Sequence, residues 1–328
     1  MRRRDVITLL GSVAAAWPLA AQAQQPVKIP RIGVLLAVAE NDTDVQSGLK
    51  VFRQSLGDLG WREGQNFQIE YRWGNADTNR IATLAKELVA RSPDIILAHS
   101  TPPVVALLKQ TRSIPIVFLT VTDPVGQGLV ATLAHPGGNV TGFSVFEISL
   151  GSKWLQLLKE MAPGITRATI IYNPTTAPYY RLYLRAIQEA APTFAIEPRP
   201  IEVHNEAEIG SVIGGIERNG GLFVLPDSFN VVHRAAIIEF SAKFRVPAIY
   251  YFKYFATDGG LLSYGPDELD LFRRSAGYVD RILKGAEPRN LPVQQPSKFE
   301  MVVNLKTAKA LGINIPPDVI TGADEVIE

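Results

Sequence analysis

Polar residues gather where apolar runs end in this 328-residue chain. After the run over residues 94–98 come His99, Ser100, Thr101 and Pro102. After the next run come Thr120, Thr122 and Asp123; further on come Tyr172 with Asn173, and Asp227 with Ser228. Hydroxyls followed by the first amides of a helix can hold a carboxylate. Ser100 and Thr101 suit that task, or simple capping of the helix that Pro102 opens. A carboxylate at a cleft-facing strand end suits an ammonium group. Asp227 is the candidate for that role; its other reading is a helix cap ahead of Asn230. Thr120 and Thr122 are expected to line a cleft, with Asp123 capping a helix that runs through Gly128. Tyr172, Tyr250, Tyr254 and Phe143 lie near strand ends or crossings, where an aromatic side chain walls a small-molecule cleft or packs into the core.

Covalent chemistry finds little support. The chain has no G-x-S-x-G elbow, no phosphate-binding P-loop, no H-E-x-x-H and no G-x-G-x-x-G after its first strand. Its four histidines, His99, His135, His204 and His233, are too far apart for a local zinc pair. The nearest approach to a nucleophile–base pair is Ser100 beside His99, and adjacent residues rarely face one another. Neither a metal nor a cofactor is expected. Three histidines read as surface or loop residues, and His99 reads as either a ligand contact or a loop residue. No arginine cluster marks the strand ends, which disfavours phosphate or sulfate and leaves a zwitterion or carboxylate.

The elements that must position these residues alternate. Strands are expected at residues 31–36, 67–71, 94–98, 115–119, 168–172, 196–203, 221–225 and 247–250. Several are unbroken apolar runs, as in parallel strands covered on both faces. Between them, Leu49, Phe52, Leu56 and Leu59 recur at helical spacing, as do Ile81, Leu84, Leu88 and Val89. The pattern predicts an α/β protein with parallel sheets. It runs in two rounds, residues 31–141 and 168–250, separated by the turn-rich stretch from His135 to Gly142. A strand at 259–265, a long helix at 267–284, a proline-rich connector at 288–296, a strand at 299–304 and a short helix at 305–311 complete the chain. Two Rossmann-like lobes with parallel-sheet cores, joined by hinge crossings near Phe143, Thr257 and Pro296, fit this order. Such a pair closes on a ligand between the carboxyl ends of its strands.

Composition narrows the class. The chain is 46% hydrophobic and 20% charged, with net charge +1, so no basic excess points to nucleic acid. It has no cysteine, so packing rather than disulfides must supply its stability. The beginning of the chain reads as an export signal. Arg2, Arg3 and Arg4 precede an apolar stretch to Trp17, and Ala21-Gln22-Ala23 offers a signal-peptidase site. Cleavage is expected near Ala23, through either the general or the twin-arginine export route.

Longer motifs carry a resemblance. Pro115-Ile-Val-Phe-x-x-Val-x-Asp-Pro-Val-x-x-Gly-Leu-Val130 is followed by Pro136-Gly-Gly-Asn-Val-Thr-Gly142. Later come Gly259-Gly-Leu-Leu-Ser-Tyr-Gly265, Leu291-Pro-Val-Gln-Gln-Pro296 and Asn304-Leu-Lys-Thr-Ala-Lys-Ala-Leu-Gly312. In this order they resemble the ABC-transporter substrate-binding family related to the tryptophan-binding protein TrpX, over nearly the whole mature chain. The resemblance implies a type I periplasmic-binding-protein fold with three crossings. Its lobes would be residues 29–142 plus 258–295 and residues 143–257 plus 296–328. It implies a monomer in the periplasm that carries a small molecule to an ABC permease and ATPase of the inner membrane. The cargo would be an amino acid or other carboxylate, aromatic in characterised relatives. By similarity, the loop after the first strand, Ser100, Thr101, Thr120, Thr122, Tyr172, Asn173, Asp227 and Ser228 should line the cleft, with Phe143 and Tyr250 as aromatic neighbours. The competing roles are a ligand-binding subunit for a membrane sensor or chemoreceptor and, more distantly, an exported hydrolase.

Overall fold

A computed structural model describes residues 29–145, 147 and 149–328. The export signal and its cleavage site lie outside the described residues. Apolar runs bounded by caps and turns form two sheets. The first contains β1 (Arg31–Leu36), β2 (Gln68–Trp73), β3 (Ile95–His99), β4 (Ile116–Val121) and β5 (Val140–Ser144), all parallel, in the order β2-β1-β3-β4-β5. The second contains β6 (Arg167–Tyr172), β7 (Glu197–Glu202), β8 (Gly220–Val224), β9 (Ala248–Tyr250), β10 (Leu262–Pro266), β11 (Phe299–Asn304) and β12 (Glu325–Ile327). Its order is β12-β11-β10-β9-β8-β6-β7, and β10 with β11 is its one antiparallel pair.

Each sheet is covered on both faces, which explains the unbroken apolar strands. In the first lobe, Ile32, Val34, Leu97 and Leu119 share a core with Val45, Leu49, Phe52 and Leu56 of helix α1 (Thr43–Asp58). Leu35, Ile96 and Phe118 face the other way, onto Ile81, Ala85 and Leu88 of α2 (Thr78–Ala90) and Leu107 of α3 (Thr101–Leu108). Asp42 caps α1 and Asp77 caps α2, each accepting two backbone amides.

Two features depart from the sequence reading. The turn-rich stretch ending at Gly142 runs into a strand, β5, which the sequence reading lacks, before the chain leaves the first lobe after Ser144. β5 lies so close to β4 that a Cβ at Gly142 would sit 2.1 Å from the Phe118 carbonyl oxygen, at a φ of +153°. A Thr-Gly-Phe-Ser strand shows no apolar run, so periodicity does not reveal it. The second departure is β10, which the lobe assignment 258–295 places with the first lobe but which stands in the second sheet. The chain therefore changes lobes after Pro266 rather than near Thr257. The helix that follows, α10 (Glu268–Leu283), packs against α1 of the first lobe, where Trp61 Nε1 donates to Asp280 Oδ1 at 2.9 Å. The other crossings follow Ser144 and Gln294. The Gln294 amide donates to Gly142 O, and the Ser144 amide donates to Gln294 O.

Close approach of α1 and α10 depends on Gly48, where a Cβ would come within 2.4 Å of the Phe272 ring. Gly48→Ala should therefore force the helices apart and cost about 1–3 kcal/mol, read as a lower urea midpoint. An unchanged midpoint would show that Phe272 yields freely.

Candidate functional site

The carboxyl ends of the two sheets face each other across a narrow cleft. Its first-lobe wall is Val38, His99, Ser100, Thr120 and Thr122, with Val145 at the crossing; its second-lobe wall includes Tyr179, Asp227, Ser228, Phe252 and Tyr254. The lobes lie close together, leaving a cavity of about 20 Å³, room for a water, so a larger ligand enters only when the lobes part.

The first-lobe wall is held in unusual backbone. Ser100 has φ 79° and ψ 164°, and Thr120 has φ 54°. Non-glycine residues adopt such angles at a cost, typically where surrounding structure and function demand it. Two constraints fix them. The Ser100 amide donates to Leu119 O at 2.9 Å, and Thr120 lies where the β4–β5 register shifts between Phe118 and Val121. Ser100 precedes α3 but makes no side-chain cap bond. Proline at positions 102 and 103 removes two of the amides such a helix start would offer.

Polar atoms in this cleft lack partners. His99 Nδ1, Thr120 Oγ1 and Ser228 Oγ are buried without a hydrogen bond. Buried polar groups are nearly always paired in proteins, and each orphan costs about 1–3 kcal/mol. Three orphans meet in one interlobe cleft, where a polar ligand could pair with them. His99 itself is fixed: Nε2 lies 2.8 Å from Glu268 Oε1 and the ring stacks on Phe272.

Asp227 sits in the wall, but its carboxylate is occupied. Oδ2 accepts the Asn173 amide at 2.8 Å; Oδ1 accepts the Phe229 amide at 3.0 Å and the Thr176 hydroxyl. It caps α7 (Ser228–Val232) and ties down the loop after β6. Burial pushes its pKa up to about 6 despite the three donors.

Other expected contacts lie elsewhere. Asn173 holds the loop, with its Oδ1 accepting the Thr175 amide. Tyr172 stacks on Tyr180 and donates to Glu202, away from the cleft. Tyr250 packs in the core against Phe255. Phe143 is wedged at a crossing between Tyr278 and the guanidinium of Arg274. Thr101, its hydroxyl buried and unpartnered, lines a separate groove between α2, α3 and the loop at Thr175 and Pro178. Asp123 caps a turn at Gly126 rather than a helix. Phe252 and Tyr254 are stacked 5.2 Å apart and form a cleft wall; Tyr254 is among the aromatics read from the sequence as wall or core, and Phe252 is not. The signal available was the aromatic run from Tyr250 to Phe255 just after a strand.

A charged clamp joins the lobes beside the cleft. Arg234, at the start of α8 (Arg234–Lys243), donates to Asp42 and, at 3.0 Å, to Asp44 of the first lobe; at 2.8 Å it donates to Asp258 of its own lobe. Its guanidinium also lies over the Tyr254 ring at 5.0 Å. Burial raises the Asp44 carboxyl to about 6, with Arg234 opposing the rise. Thr122 adds a second crossing contact, 3.4 Å from the Tyr183 hydroxyl.

Comparison with known proteins agrees with this architecture. The profile of the family described as ABC transporter substrate binding protein matches residues 31–327. A tyrosine-binding protein of Clostridioides difficile strain R20291 is 29% identical over 266 residues, 80% of this chain and 75% of that protein. A crystal structure of an ABC domain from Streptococcus pneumoniae in complex with L-Trp superposes with a TM-score of 0.83 at 26% identity, covering 91% of this chain and 99% of that one. A conserved domain protein from Vibrio cholerae O1 biovar eltor superposes equally well, at 0.83 and 28% identity, covering 91% and 100%.

Two outcomes test this geometry. Arg234→Ala leaves Asp42 and Asp44 side by side without their cation, so small-angle scattering of the unliganded variant should report a larger radius of gyration than wild type; identical profiles would show that the clamp does not hold the lobes. The second concerns Asp227. A carboxyl whose pKa is higher in the fold than in the unfolded chain takes up a proton on folding. Its stabilising contribution is therefore full below the ordinary value of 3.8 and is lost as pH rises through about 6. Lowering pH from about 7 to about 5 should thus raise the thermal midpoint of wild type more than that of Asp227→Asn; equal slopes would place the Asp227 pKa at its ordinary value.

Proposed function

Because the chain belongs to the family of ABC transporter substrate-binding proteins, we propose that it captures an amino acid between its lobes and delivers it to an ABC importer. The observation that carries the reading is the set of unpartnered polar atoms on both walls of the cleft: His99 Nδ1 and Thr120 Oγ1 on one, Ser228 Oγ on the other. A zwitterion satisfies donors and acceptors together. The stacked pair Phe252 and Tyr254 offers a flat apolar surface for a side chain, and the relatives named above include one called tyrosine-binding and one crystallised with L-Trp. An aromatic amino acid is therefore the favoured cargo.

Binding alone suffices for this role. The ligand bridges both lobes, satisfies orphans on each, and so favours the closed arrangement in proportion to its extra affinity for it. The chain would work as an exported monomer in the periplasm, with its first 23 residues removed, and would pass its cargo to a permease and ATPase in the inner membrane. No catalytic step is proposed.

Calorimetry and thermal denaturation of the purified protein with L-tyrosine, L-tryptophan and L-phenylalanine test the reading. At about 100 times its dissociation constant, a ligand adds about 2.7 kcal/mol, a rise of several degrees in the midpoint. Binding of at least one aromatic amino acid is expected. Binding of a sugar or polyol with no response to any amino acid would contradict the assignment.

A further inference from the structure

We propose that His99 is the group that reads the ligand's ammonium, accepting a hydrogen bond at Nδ1; this rests on the amino-acid reading above and names the atom that enforces it. Three observations converge on His99. Its ring is immobilised, stacked on Phe272 with centroids 5.7 Å apart and planes 16° apart. Its Nε2 is 2.8 Å from Glu268 Oε1. Its Nδ1 is buried with no protein partner while the residue lines the cleft.

The Glu268 contact sets the chemistry. A carboxylate accepts only, so Nε2 carries the proton and donates. In the neutral ring, Nδ1 is then a lone-pair acceptor. An acceptor fixed in this way calls for an N–H or O–H on the ligand.

The charges around the cleft select the ammonium. Among the described residues, no lysine or arginine lines it. Asp227 stands across from His99, Glu268 stands behind it, and Arg234, whose guanidinium lies over Tyr254 of the wall, is already shared by Asp42, Asp44 and Asp258. A cationic donor is stabilised in such surroundings and a second carboxylate is not. With Asp227 committed to three donors of its own lobe, the acceptor left for an ammonium is His99 Nδ1. The wall hydroxyls of Ser100, Thr120 and Ser228 can then donate to the ligand carboxylate.

Two substitutions separate the two ends of the ring. In His99→Gln the longer amide reaches the Nε2 position and can keep the Glu268 contact while losing the Nδ1 acceptor. In His99→Asn the shorter amide places an oxygen near the Nδ1 position. Calorimetry with L-tyrosine and with desaminotyrosine, the same acid without its α-amino group, is run on wild type and both variants. Wild type should prefer L-tyrosine. His99→Gln should lose roughly ten- to a hundredfold in L-tyrosine affinity, with little change for desaminotyrosine, and His99→Asn should recover part of the loss. Long-range proton–nitrogen correlation spectra of the wild-type complex should show a proton on His99 Nε2 and none on Nδ1; this readout holds even if a variant fails to fold. A protonated Nδ1 in the complex, or unchanged L-tyrosine affinity in a folded His99→Gln, would overturn the assignment of His99 alone. Failure of wild type to bind any amino acid would instead overturn the ligand class, and the role of His99 with it.

Discussion

A buried polar atom must find a partner or impose its desolvation cost on the fold, and among the described residues three such atoms without a partner gather in the cleft between the lobes. Parallel strands covered on both faces bury their sides completely, so only their ends are free. The two sheets point their carboxyl ends at each other; the ends of β3 and β4 present His99 and Thr120, and the start of α7 presents Ser228, with atoms that no protein group satisfies. The cost is carried by tight local geometry. Ser100 and Thr120 are held at positive φ by the strands around them, and His99 is held by Glu268 and Phe272. A ligand able to complete these hydrogen bonds would have to reach both walls at once.

Closure and recognition share their supports. Helix α10 begins at Glu268 beside His99 and packs along α1 through the close contact at Gly48. The cap of α1, Asp42, is also a partner of Arg234 from the opposite lobe. Movement of one lobe against the other must therefore break a charged clamp next to the cleft, while the histidine stays fixed to its own lobe. The distance between the walls can change without disturbing the contacts of His99 with Glu268 and Phe272.

Much of this was legible in the sequence. β1 and β11 follow their apolar runs residue for residue, and the other expected strands fall within two residues of theirs except β10, which starts three residues later than expected. Strand ends pointed to Ser100, Thr120, Thr122, Asp227 and Ser228, all of which stand in the cleft wall. What stayed hidden depends on partners distant in the chain. Asp227 reads equally as a ligand group or a cap until Asn173 and Thr176 are seen to occupy it. His99 gains its meaning from Glu268, 169 residues away. Tyr172 and Tyr250 are aromatic at strand ends, as expected of a wall, but their rings turn to Tyr180 and Phe255. β5 carries no apolar run, and its pairing rests on a glycine that lets two backbones touch.

The central claim is that the interlobe cleft is the ligand site and that its orphaned polar atoms are the ligand's partners. A crystal structure of the protein grown with an aromatic amino acid tests it most directly. The account predicts the amino acid between the lobes, its charged end within hydrogen-bond distance of His99, Thr120 and Ser228 and its ring against Phe252 and Tyr254. An amino acid bound outside this cleft, with those three side chains still unpartnered, would contradict it.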